Sequence, residues 1–507
     1  MKQYLYGATV NGIQGYIFRT DKLVEIAGAS VLVKQVCEDL FATMLNITSD
    51  ELRQQKGLLL SAAGNIKYLF TEEQHDDVKR VVREFPKRVV EFAPGITLSQ
   101  AVVTFDDLLK EEHLHQLEEN LKIQRNKAGS VADFAEQIQI RSRQTGNPAI
   151  EIDHDKRYLD KEVVAKLKAA DWEEINATNN IWTDFYGRQV LKKNQPFDLE
   201  KICMTKSIDY SWIAVIHVDG NGLGNLLMKT SNTLGKDFAV FLPKFSRLLD
   251  EATKEAASNA FSTTKKVYKF DKKMEPARPI IIGGDDLTII IRADLAVYFT
   301  KEYLMEFERL TKEKFKPLCT EFPEKGLGTL IEQGLTACAG IAIIKYNYPF
   351  HYGVSLAEDL CAQAKNEQQD SPKQSSLLFH KVLSSFVGDF KELKDRELTI
   401  RNVKGEAYSL FYGPYYLHPS GDKSNIGDLL EKVKSVQGNN ALKSGLRQWL
   451  AALDDSRRQA DILQHRLLAK HGEAKEFTFL AGQKSTDTTY VLEVTPIADW
   501  LTLNSIN

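Results

Sequence analysis

The chain has 507 residues, of which 43% are hydrophobic and 27% are charged, enough for roughly three or four hydrophobic cores in a multidomain protein. Its net charge of −3 argues against a protein that mainly coats nucleic acid, because neutralising phosphates normally requires a clear excess of basic residues. A local basic groove remains compatible with this balance.

The apolar runs and the cysteines indicate the cellular compartment of the protein. No apolar run is long enough to span a membrane, and the chain opens directly into a predicted strand without the apolar core of a signal peptide. We therefore expect a cytoplasmic protein without a membrane partner. The cysteines are scattered and odd in number, which predicts reduced, mostly buried thiols rather than disulfides or a zinc knuckle: Cys37, Cys203, Cys319, Cys338 and Cys361.

Polar segments in the first half of the chain carry no clear site. Residues 146–205 are polar, mixed in charge and weakly periodic, which is typical of a connector or insertion between domains. Two adjacent pairs, His75-Asp76 and His154-Asp155, lie in polar segments without further metal ligands in register. We predict that both pairs are surface residues and that the chain has no metal-dependent DNA cleavage activity.

A strand that ends in an acid begins the more informative half of the chain. Residues 212–218 form an apolar run typical of a buried strand, and the segment Asp219-Gly220-Asn221-Gly222-Leu223-Gly224-Asn225 follows before an apolar helix. Exposed amides at such a helix start can hold a triphosphate while the acid at the strand end holds the metal bound to it. The spacing matches neither a Walker A loop nor a Rossmann fingerprint.

The second element is a predicted hairpin with two acids at its tip. Apolar residues 280–282 lead into Gly283-Gly284-Asp285-Asp286, and a β-branched run leaves it. The glycines fit a tight turn where a side chain would obstruct the backbone or a ligand. Adjacent carboxylates repel each other unless a cation neutralises them, and Mg²⁺ or Mn²⁺ is the expected cation because it prefers oxygen ligands and usually binds together with phosphates.

The third element is a strand over residues 335–344, followed by a helix predicted from Ser355 to Asn366. Lys365 lies near the end of this helix. Taken alone, the helix is amphipathic with a solvated lysine.

Together, these three elements resemble the catalytic palm of the large subunit of type III CRISPR effector complexes, a relative of GGDEF diguanylate cyclases and of polymerase palms. Asp219 and the glycines after it fit the first metal site of that family, and Asp285 and Asp286 match its Gly-Gly-Asp-Asp hairpin. Lys365 falls where GGDEF-type palms have a phosphate-binding lysine. The sequence departs from the pattern at Asn221, where the family has its second acid.

The amino-terminal region resembles a second copy of the same architecture. Residues 6–18 are similar to the Gly-Ile-Gln segment that opens the first palm of the family, and residues 57–70 occupy the place of its hairpin. Thr9 stands where an acid would be, and residues 62–65 replace the glycines and acids of the hairpin tip. The resemblance therefore implies a first palm that binds nucleotide or a partner without holding catalytic metal.

The implied fold is α+β, with two ferredoxin-like palm domains and a mostly helical carboxy-terminal domain. The expected division is a degenerate first palm over 1–145, a connector over 146–205, a catalytic palm over 206–380 and the carboxy-terminal domain over 381–507. In that last part, an aromatic run over 408–417 precedes predicted helices around 426–436 and 441–467. Packing against these helices is the favoured role of the aromatic run, with base stacking as the alternative.

The resemblance implies untemplated nucleotidyl transfer from ATP that gives a cyclic oligonucleotide messenger in antiviral defence. Asp219, Asp285 and Asp286 would be catalytic and, with the Gly220 carbonyl, would bind two Mg²⁺ or Mn²⁺ ions. The predicted nucleotide-binding residues are Gly222, Leu223, Gly224, Asn225, Gly283, Gly284 and Lys365.

Other classes of protein fit the sequence less well. A catalytically inactive nucleotide-binding scaffold or sensor subunit is the main alternative, and Asn221 supports it. A templated polymerase would need a basic thumb, and a diguanylate cyclase would lack the second palm. The expected partners are nucleoside triphosphates, with RNA, CRISPR effector subunits or further copies of the chain as additional possibilities.

Overall fold

The computed structural model describes the chain except for residues 1, 63, 107–108, 128–138, 171–180, 189, 208, 270–273, 324–330, 369–373, 384–389, 420–423, 487–488 and 507. The strands are β1 Gln3–Asn11, β2 Leu58–Ala62, β3 Asn65–Phe70, β4 Thr97–Phe105, β5 Glu151–Ile152, β6 Tyr158–Leu159, β7 Trp212–Gly220, β8 Ala277–Gly283, β9 Asp286–Arg292, β10 Ala337–Lys345, β11 Ser376–Lys381, β12 Thr399–Arg401, β13 Ala407–Ser409, β14 Tyr415–Tyr416, β15 Leu480–Thr486 and β16 Thr489–Val494. The α-helices are α1 Ile13–Ile17, α2 Leu23–Gln35, α3 Phe41–Met44, α4 Ser49–Gln54, α5 His75–Phe92, α6 Glu111–Arg125, α7 Lys161–Ala169, α8 Ile181–Tyr186, α9 Leu199–Met204, α10 Leu223–Leu234, α11 Phe238–Tyr268, α12 Ala293–Glu321, α13 Phe350–Asn366, α14 Phe390–Arg396, α15 Ile426–Ser435, α16 Asn440–Asp455, α17 Arg457–Lys470 and α18 Ile497–Ile506.

The amino-terminal palm is a four-stranded antiparallel sheet with the strand order β2-β3-β1-β4. This is the order of a ferredoxin-like fold, in which each half of the sheet is a strand, a helix and a strand. Strand β1 is central and buried along most of its length, whereas α5 presents an apolar stripe at helical spacing, formed by Val78, Val81, Phe85 and Val89. The predicted hairpin at residues 57–70 is present as β2 and β3.

The second palm repeats this connectivity in β7 to β10, which lie in the order β10-β7-β9-β8. Strand β11 adds to β10 in parallel and β14 adds to β11, so the sheet has six strands. The apolar runs of β7, β9 and β10 explain their central positions, because both faces of the sheet are covered. The long helices α11 and α12 cover one face and α13 covers the other.

Gly340 sets the distance between α13 and the sheet. A Cβ atom at this position of β10 would lie 1.9 Å from the carbonyl oxygen of Ala357. The helix backbone therefore rests almost directly on the strand, and only glycine leaves room for it. This close approach brings the side chains on the inner face of α13 to the level of the strand ends.

Helix α13 also joins the two palms. It begins at Phe350, five residues before the predicted start at Ser355, so the prediction was wrong at this end. The reason is tertiary: the Phe350 amide donates a hydrogen bond of 3.2 Å to Asp21 Oδ1 of the first palm, which replaces a local cap. The Phe350 ring also packs against Phe18, with ring centroids 5.7 Å apart.

The segment predicted as a connector is built into both palms. Helix α7 packs on α2, where a Cβ at Gly28 would lie 1.8 Å from the Lys166 carbonyl oxygen, and Lys166 pairs with Glu162 at 2.7 Å. Trp182 and Phe185 of α8 are buried in the core of the second palm. The described part of this segment is therefore structural, and the boundaries at 146 and 205 stay predictions.

The carboxy-terminal region contains the predicted helices as α15, α16 and α17. It also contains a four-stranded sheet in the order β12-β13-β16-β15 that no sequence pattern predicts. Tyr408 and Tyr415 of the aromatic run are buried, as the packing interpretation requires. Tyr415 lies in β14 and thus extends the sheet of the second palm.

Several smaller predictions concern exposure. His75 and His154 are exposed, together with the acids that follow them. The five cysteines are free thiols, and all except the half-buried Cys319 are buried. Among the described helices, none is long and apolar enough to cross a lipid bilayer.

Candidate active site

The two acids of the Gly-Gly-Asp-Asp segment lie at the turn between β8 and β9. Gly283 pairs with Asp286, which leaves Gly284 and Asp285 as the two turn residues. Gly284 has a φ of 61°, a left-handed conformation that favours glycine. Helix α11 supports the turn, because Thr253 Oγ1 donates a 2.5 Å hydrogen bond to the Gly284 carbonyl.

The end of β7 lies directly beside this turn. Strands β7 and β9 are antiparallel neighbours, with Val218 opposite Leu287, so the last residues of β7 face the first residues of β9. A Cβ atom at Gly220 would lie 2.7 Å from Asp285 Oδ2 and 2.9 Å from Asp285 Cβ. The structure thus brings Asp219, Asp285 and Asp286 together from positions more than sixty residues apart in the sequence.

Gly220→Ala tests this close approach. Because the added methyl group would overlap the Asp285 side chain, we expect a loss of about 1–3 kcal/mol in the free energy of unfolding, together with a displaced Asp285. Urea unfolding of the purified protein measures the change. Gly472→Ala is the matched control, since a Cβ there has no neighbour within 4 Å. Equal stability of the two variants would contradict the observed packing.

Lys365 supplies the positive charge beside these acids. Its ammonium donates hydrogen bonds to Asp219 Oδ2 and, at 2.8 Å, to the Gly220 carbonyl. The lysine therefore contacts the strand end itself. A phosphate-binding role stays a prediction, and it requires that the ammonium also reach a phosphate beside Asp219.

The carboxyl groups perturb each other strongly. Burial raises the pKa of Asp286 to about 7, with further contributions from the charges of Asp285 and Asp219. Burial and then the charge of Asp219 raise the pKa of Asp285. The Lys365 ammonium acts in the opposite direction on both groups. Raised carboxyl pKa values in a cleft are typical of functional sites, because such clusters are unfavourable without a cation.

Helix α10 begins beside the same strand end. Gly222 precedes it with a φ of 66°, and no side chain caps the first turn. Gly222, Gly224 and Asn225 are exposed, so the amides of the first turn lie at the surface beside β7. Unpaired amides at a helix start are a suitable binding site for phosphate oxygens.

The side-chain nitrogen of Asn221 is engaged in hydrogen bonds, whereas its Oδ1 atom is buried without a hydrogen-bond partner among the described residues. Its Nδ2 donates hydrogen bonds to Thr336 Oγ1 at 3.0 Å and to the Gln374 carbonyl at 3.2 Å, and its main-chain amide donates to the Thr336 carbonyl at 2.8 Å. An ionised aspartate could donate a hydrogen bond neither to the Thr336 hydroxyl nor to the Gln374 main-chain carbonyl. The substitution therefore fastens the loop after β7 to the start of β10.

The oxygen donors present suit Mg²⁺ or Mn²⁺ when nucleotide phosphates complete the coordination. In the described parts of the chain, no three His, Cys, Asp or Glu side chains are grouped closely enough to form a complete metal site. The carboxylates of Asp219, Asp285 and Asp286 and the Gly220 carbonyl are nevertheless hard ligands, and a cation would relieve the repulsion that raises the two hairpin pKa values. Mg²⁺ usually keeps waters and substrate phosphates among its ligands, so an incomplete protein set is compatible with it.

A cavity of about 720 Å³, absent from the sequence-based expectations, lies between the amino-terminal palm and α13. It is lined from the first-palm region by residues that include Arg19, Lys22, Arg143 and Gln144, and from α13 by His351, Ser355 and Glu358. The Glu358 charge raises the pKa of Asp286, which relates the cavity to the carboxyl cluster. The only sequence signal was a basic pair at 19 and 22 directly after the Gly-Ile-Gln segment.

Comparison with known families identifies the second palm. Residues 212–372 match the family model described as Cas10/Cmr2, second palm domain. These residues are similar to a Cas10/Cmr2 second palm. The predicted resemblance to the large palm subunit of type III CRISPR systems is thereby confirmed, and Asp219, Asp285, Asp286 and Lys365 all lie within the matched range. No curated protein matches the sequence.

Solved structures extend the likeness to the whole chain. The crystal structure of a Csm1-Csm4 cassette in complex with cA4 matches 100% of this chain and 70% of its own, with 12% identity and a TM-score of 0.58. Csm1 from T. onnurineus matches 100% of this chain and 69% of its own, with 14% identity and a TM-score of 0.57. At such identities the likeness shows the fold, which confirms the predicted α+β arrangement with two palms.

Proposed function

We propose that this protein is a metal-dependent nucleotidyltransferase that joins ATP units into a cyclic oligoadenylate messenger, as a cytoplasmic component of antiviral defence. The observation that carries the proposal is the convergence of Asp219, Asp285, Asp286 and Lys365 at one edge of a Cas10/Cmr2 palm. A cluster of three acids with one basic group suits a triphosphate bound through a divalent cation.

The bound molecules of similar proteins support ATP as the substrate. Csm1-Csm4 cassettes have been solved in complex with AMPPNP, pppApA, cA3 and cA4. These are an ATP analogue, a linear dinucleotide and two cyclic products. By analogy, this chain would form linear oligoadenylates first and close them afterwards.

Each residue of the cluster has a distinct task in this proposal. Asp219, Asp285 and Asp286, with the Gly220 carbonyl, would hold Mg²⁺ or Mn²⁺, which lowers the pKa of the attacking ribose hydroxyl and neutralises the departing pyrophosphate. Lys365 would donate to a phosphate oxygen from its position beside Asp219. The amides of Leu223, Gly224 and Asn225 at the start of α10, together with the Gly283-Gly284 turn, would bind the remaining phosphate oxygens.

The cavity between the palms would hold the acceptor nucleotide. Arg19, Lys22 and Arg143 line it, and they provide positive charge for the acceptor's own phosphates. Holding the acceptor beside the donor converts a bimolecular reaction into an oriented one, which can contribute about 7–11 kcal/mol to lowering the barrier. This arrangement gives the first palm a binding role without catalytic acids.

A second candidate function follows from Asn221. Its amide anchors a loop where the family pattern has an acid, which fits a scaffold or sensor subunit that binds nucleotide without turnover. In either case we propose that the chain assembles with other CRISPR effector subunits, because its fold is that of Csm1 in a Csm1-Csm4 subcomplex of the type III-A CRISPR-Csm interference complex.

Release of pyrophosphate separates the two candidates. The full chain, alone and with its neighbouring effector subunits and target RNA, is incubated with each labelled triphosphate and Mn²⁺. We expect pyrophosphate and oligoadenylates from ATP, and neither from the Asp286→Ala variant. ATP binding by the wild type without any pyrophosphate under all conditions would favour the scaffold function instead.

A further inference from the structure

Glu358 is the carboxyl group of the cavity that the proposed chemistry does not yet use. It lies on the inner face of α13, seven residues before Lys365, so both side chains project from the same side of the helix about 10 Å apart along its axis. Lys365 reaches the end of β7, whereas Glu358 lines the cavity between the palms. The same face of α13 thus contributes Lys365 to the acid cluster and Glu358 to the cavity.

One oxygen of the Glu358 carboxyl group lacks a hydrogen-bond partner within the part of the chain that the structure describes. This Oε1 atom is buried and makes no hydrogen bond there. Burial and the charge of Asp359 raise the pKa of Glu358 to about 7, as expected for a carboxyl group without a compensating donor. A buried acceptor left unpaired costs free energy, which a ligand donor would recover.

The charges around the cavity indicate which part of a nucleotide meets Glu358. Lys22 and Arg143 also line the cavity, and Arg19, which pairs with Glu162 at 2.9 Å, adds a third positive charge. Phosphates are attracted to these basic groups and repelled by Glu358. Asp21, the other acid of the cavity, already accepts a hydrogen bond from the Phe350 amide.

Because Glu358 lies toward the catalytic acids, we expect it to contact the sugar of the acceptor nucleotide rather than the base. Of the cavity residues on α13, Glu358 is the one nearest along the helix to Lys365, whose ammonium reaches the end of β7, so it marks the end of the cavity toward the acid cluster. An acceptor nucleotide must bring its attacking ribose hydroxyl to that same end. The base, in contrast, has no need to approach the acids.

We propose that Glu358 is a positioning residue that accepts a hydrogen bond from a ribose hydroxyl of the acceptor nucleotide. The inference rests on the proposed function for the identity of the acceptor. It adds Glu358, which lies outside the Gly-Gly-Asp-Asp hairpin, to the proposed nucleotide-binding residues. It makes the cavity selective for ribonucleotides over nucleotides that lack the contacted hydroxyl.

Calorimetric binding of ATP, 2′-deoxyATP, 3′-deoxyATP and ITP to the full chain tests the inference. The titrations are made in EDTA, where the acid cluster lacks the cation it needs to hold a donor triphosphate. We expect Glu358→Ala to weaken ATP binding about tenfold to a hundredfold. We also expect the wild type to bind one of the two deoxynucleotides more weakly than ATP by a similar factor. That deoxynucleotide should bind Glu358→Ala and the wild type equally, because the two changes remove the same hydrogen bond.

Further variants separate positioning from folding. Glu358→Gln keeps an acceptor oxygen and should recover part of the lost affinity. Glu367→Ala removes an exposed carboxylate from the end of the same helix and should bind ATP like the wild type. Circular dichroism checks that every variant is folded.

Two results with ATP would overturn the inference: no ATP binding by the wild type in EDTA, or unchanged ATP affinity in Glu358→Ala. Two results with the analogues would also overturn it. In the first, Glu358→Ala weakens the binding of both deoxynucleotides as much as that of ATP; in the second, the effect of the substitution depends on the change from ATP to ITP, which would indicate contact with the base. The proposed function is refuted by a different result from the one that refutes the role of Glu358. A wild type that shows the hydroxyl coupling but never releases pyrophosphate would support the role of Glu358 and refute turnover.

Discussion

Asp286→Asn should abolish nucleotidyl transfer and at the same time stabilise the cation-free protein. The substitution keeps the shape of the side chain but removes one of three mutually repelling charges, so the folded state loses an unfavourable interaction. Without this carboxylate, the cation and the donor triphosphate lose a ligand. We expect activity to fall at least about a hundredfold and the melting temperature in EDTA to rise by a few degrees at pH 8.

The pH dependence of stability gives a second readout of the same substitution. The pKa of Asp286 is about 7 in the folded protein, against an ordinary value of 3.8. Between these values the folded chain keeps a proton that the unfolded chain has lost, so stability falls as the pH rises toward about 7 and above. In EDTA, the wild type should therefore lose more stability than Asp286→Asn between pH 4 and pH 8.

Thermal unfolding from pH 4 to pH 8, with and without Mn²⁺, measures both effects. Asp454→Asn is the control, because Asp454 is an exposed acid on α16, far from the palm hairpin in sequence. Two parallel stability profiles for the wild type and Asp286→Asn would mean that the acids do not interact as the structure indicates.

Lys365→Met should also abolish activity but should destabilise the protein. Methionine preserves much of the length of the side chain while removing the ammonium that hydrogen-bonds Asp219 and the Gly220 carbonyl. The acids then lack their compensating charge, and the pKa values of Asp285 and Asp286 rise further. We expect a loss of about a hundredfold or more in pyrophosphate release and a lower melting temperature in EDTA at pH 8.

The opposite signs of the two stability changes are the discriminating result. Melting curves of Lys365→Met, Asp286→Asn and the double variant, measured side by side, show whether the second change compensates the first. Lys470→Met, at the exposed end of α17, controls for loss of a lysine as such. If Lys365→Met were as stable as the wild type while inactive, the lysine would act on the nucleotide alone.

The elements that carry the site could be predicted from the sequence because their signals are local. An apolar run that ends in Asp219, and the Gly283-Gly284 pair between two β-branched runs, are visible within a dozen residues. Their spatial meeting follows from the antiparallel pairing of β7 with β9, which is the usual order of a ferredoxin-like palm. The assignment of catalytic and metal-binding roles to Asp219, Asp285 and Asp286 stays a prediction.

The parts that escaped prediction depend on contacts between distant segments. Strand β12 has three residues, and Tyr408 of β13 pairs with Leu492 of β16, so no local periodicity marks the carboxy-terminal sheet. The start of α13 depends on Asp21, and the role of Glu358 depends on the loop after α1. The residues next to Asp21 and Glu358 in the sequence give no indication of what these two side chains contact.

Helix α13 has seventeen residues and is therefore a stiff rod about 25 Å long. Its first turn is fastened to the amino-terminal palm through Asp21 and Phe18, while the lysine in its last turn touches the edge of the opposite sheet. This rod therefore connects the amino-terminal palm mechanically to the carboxyl cluster at the end of β7.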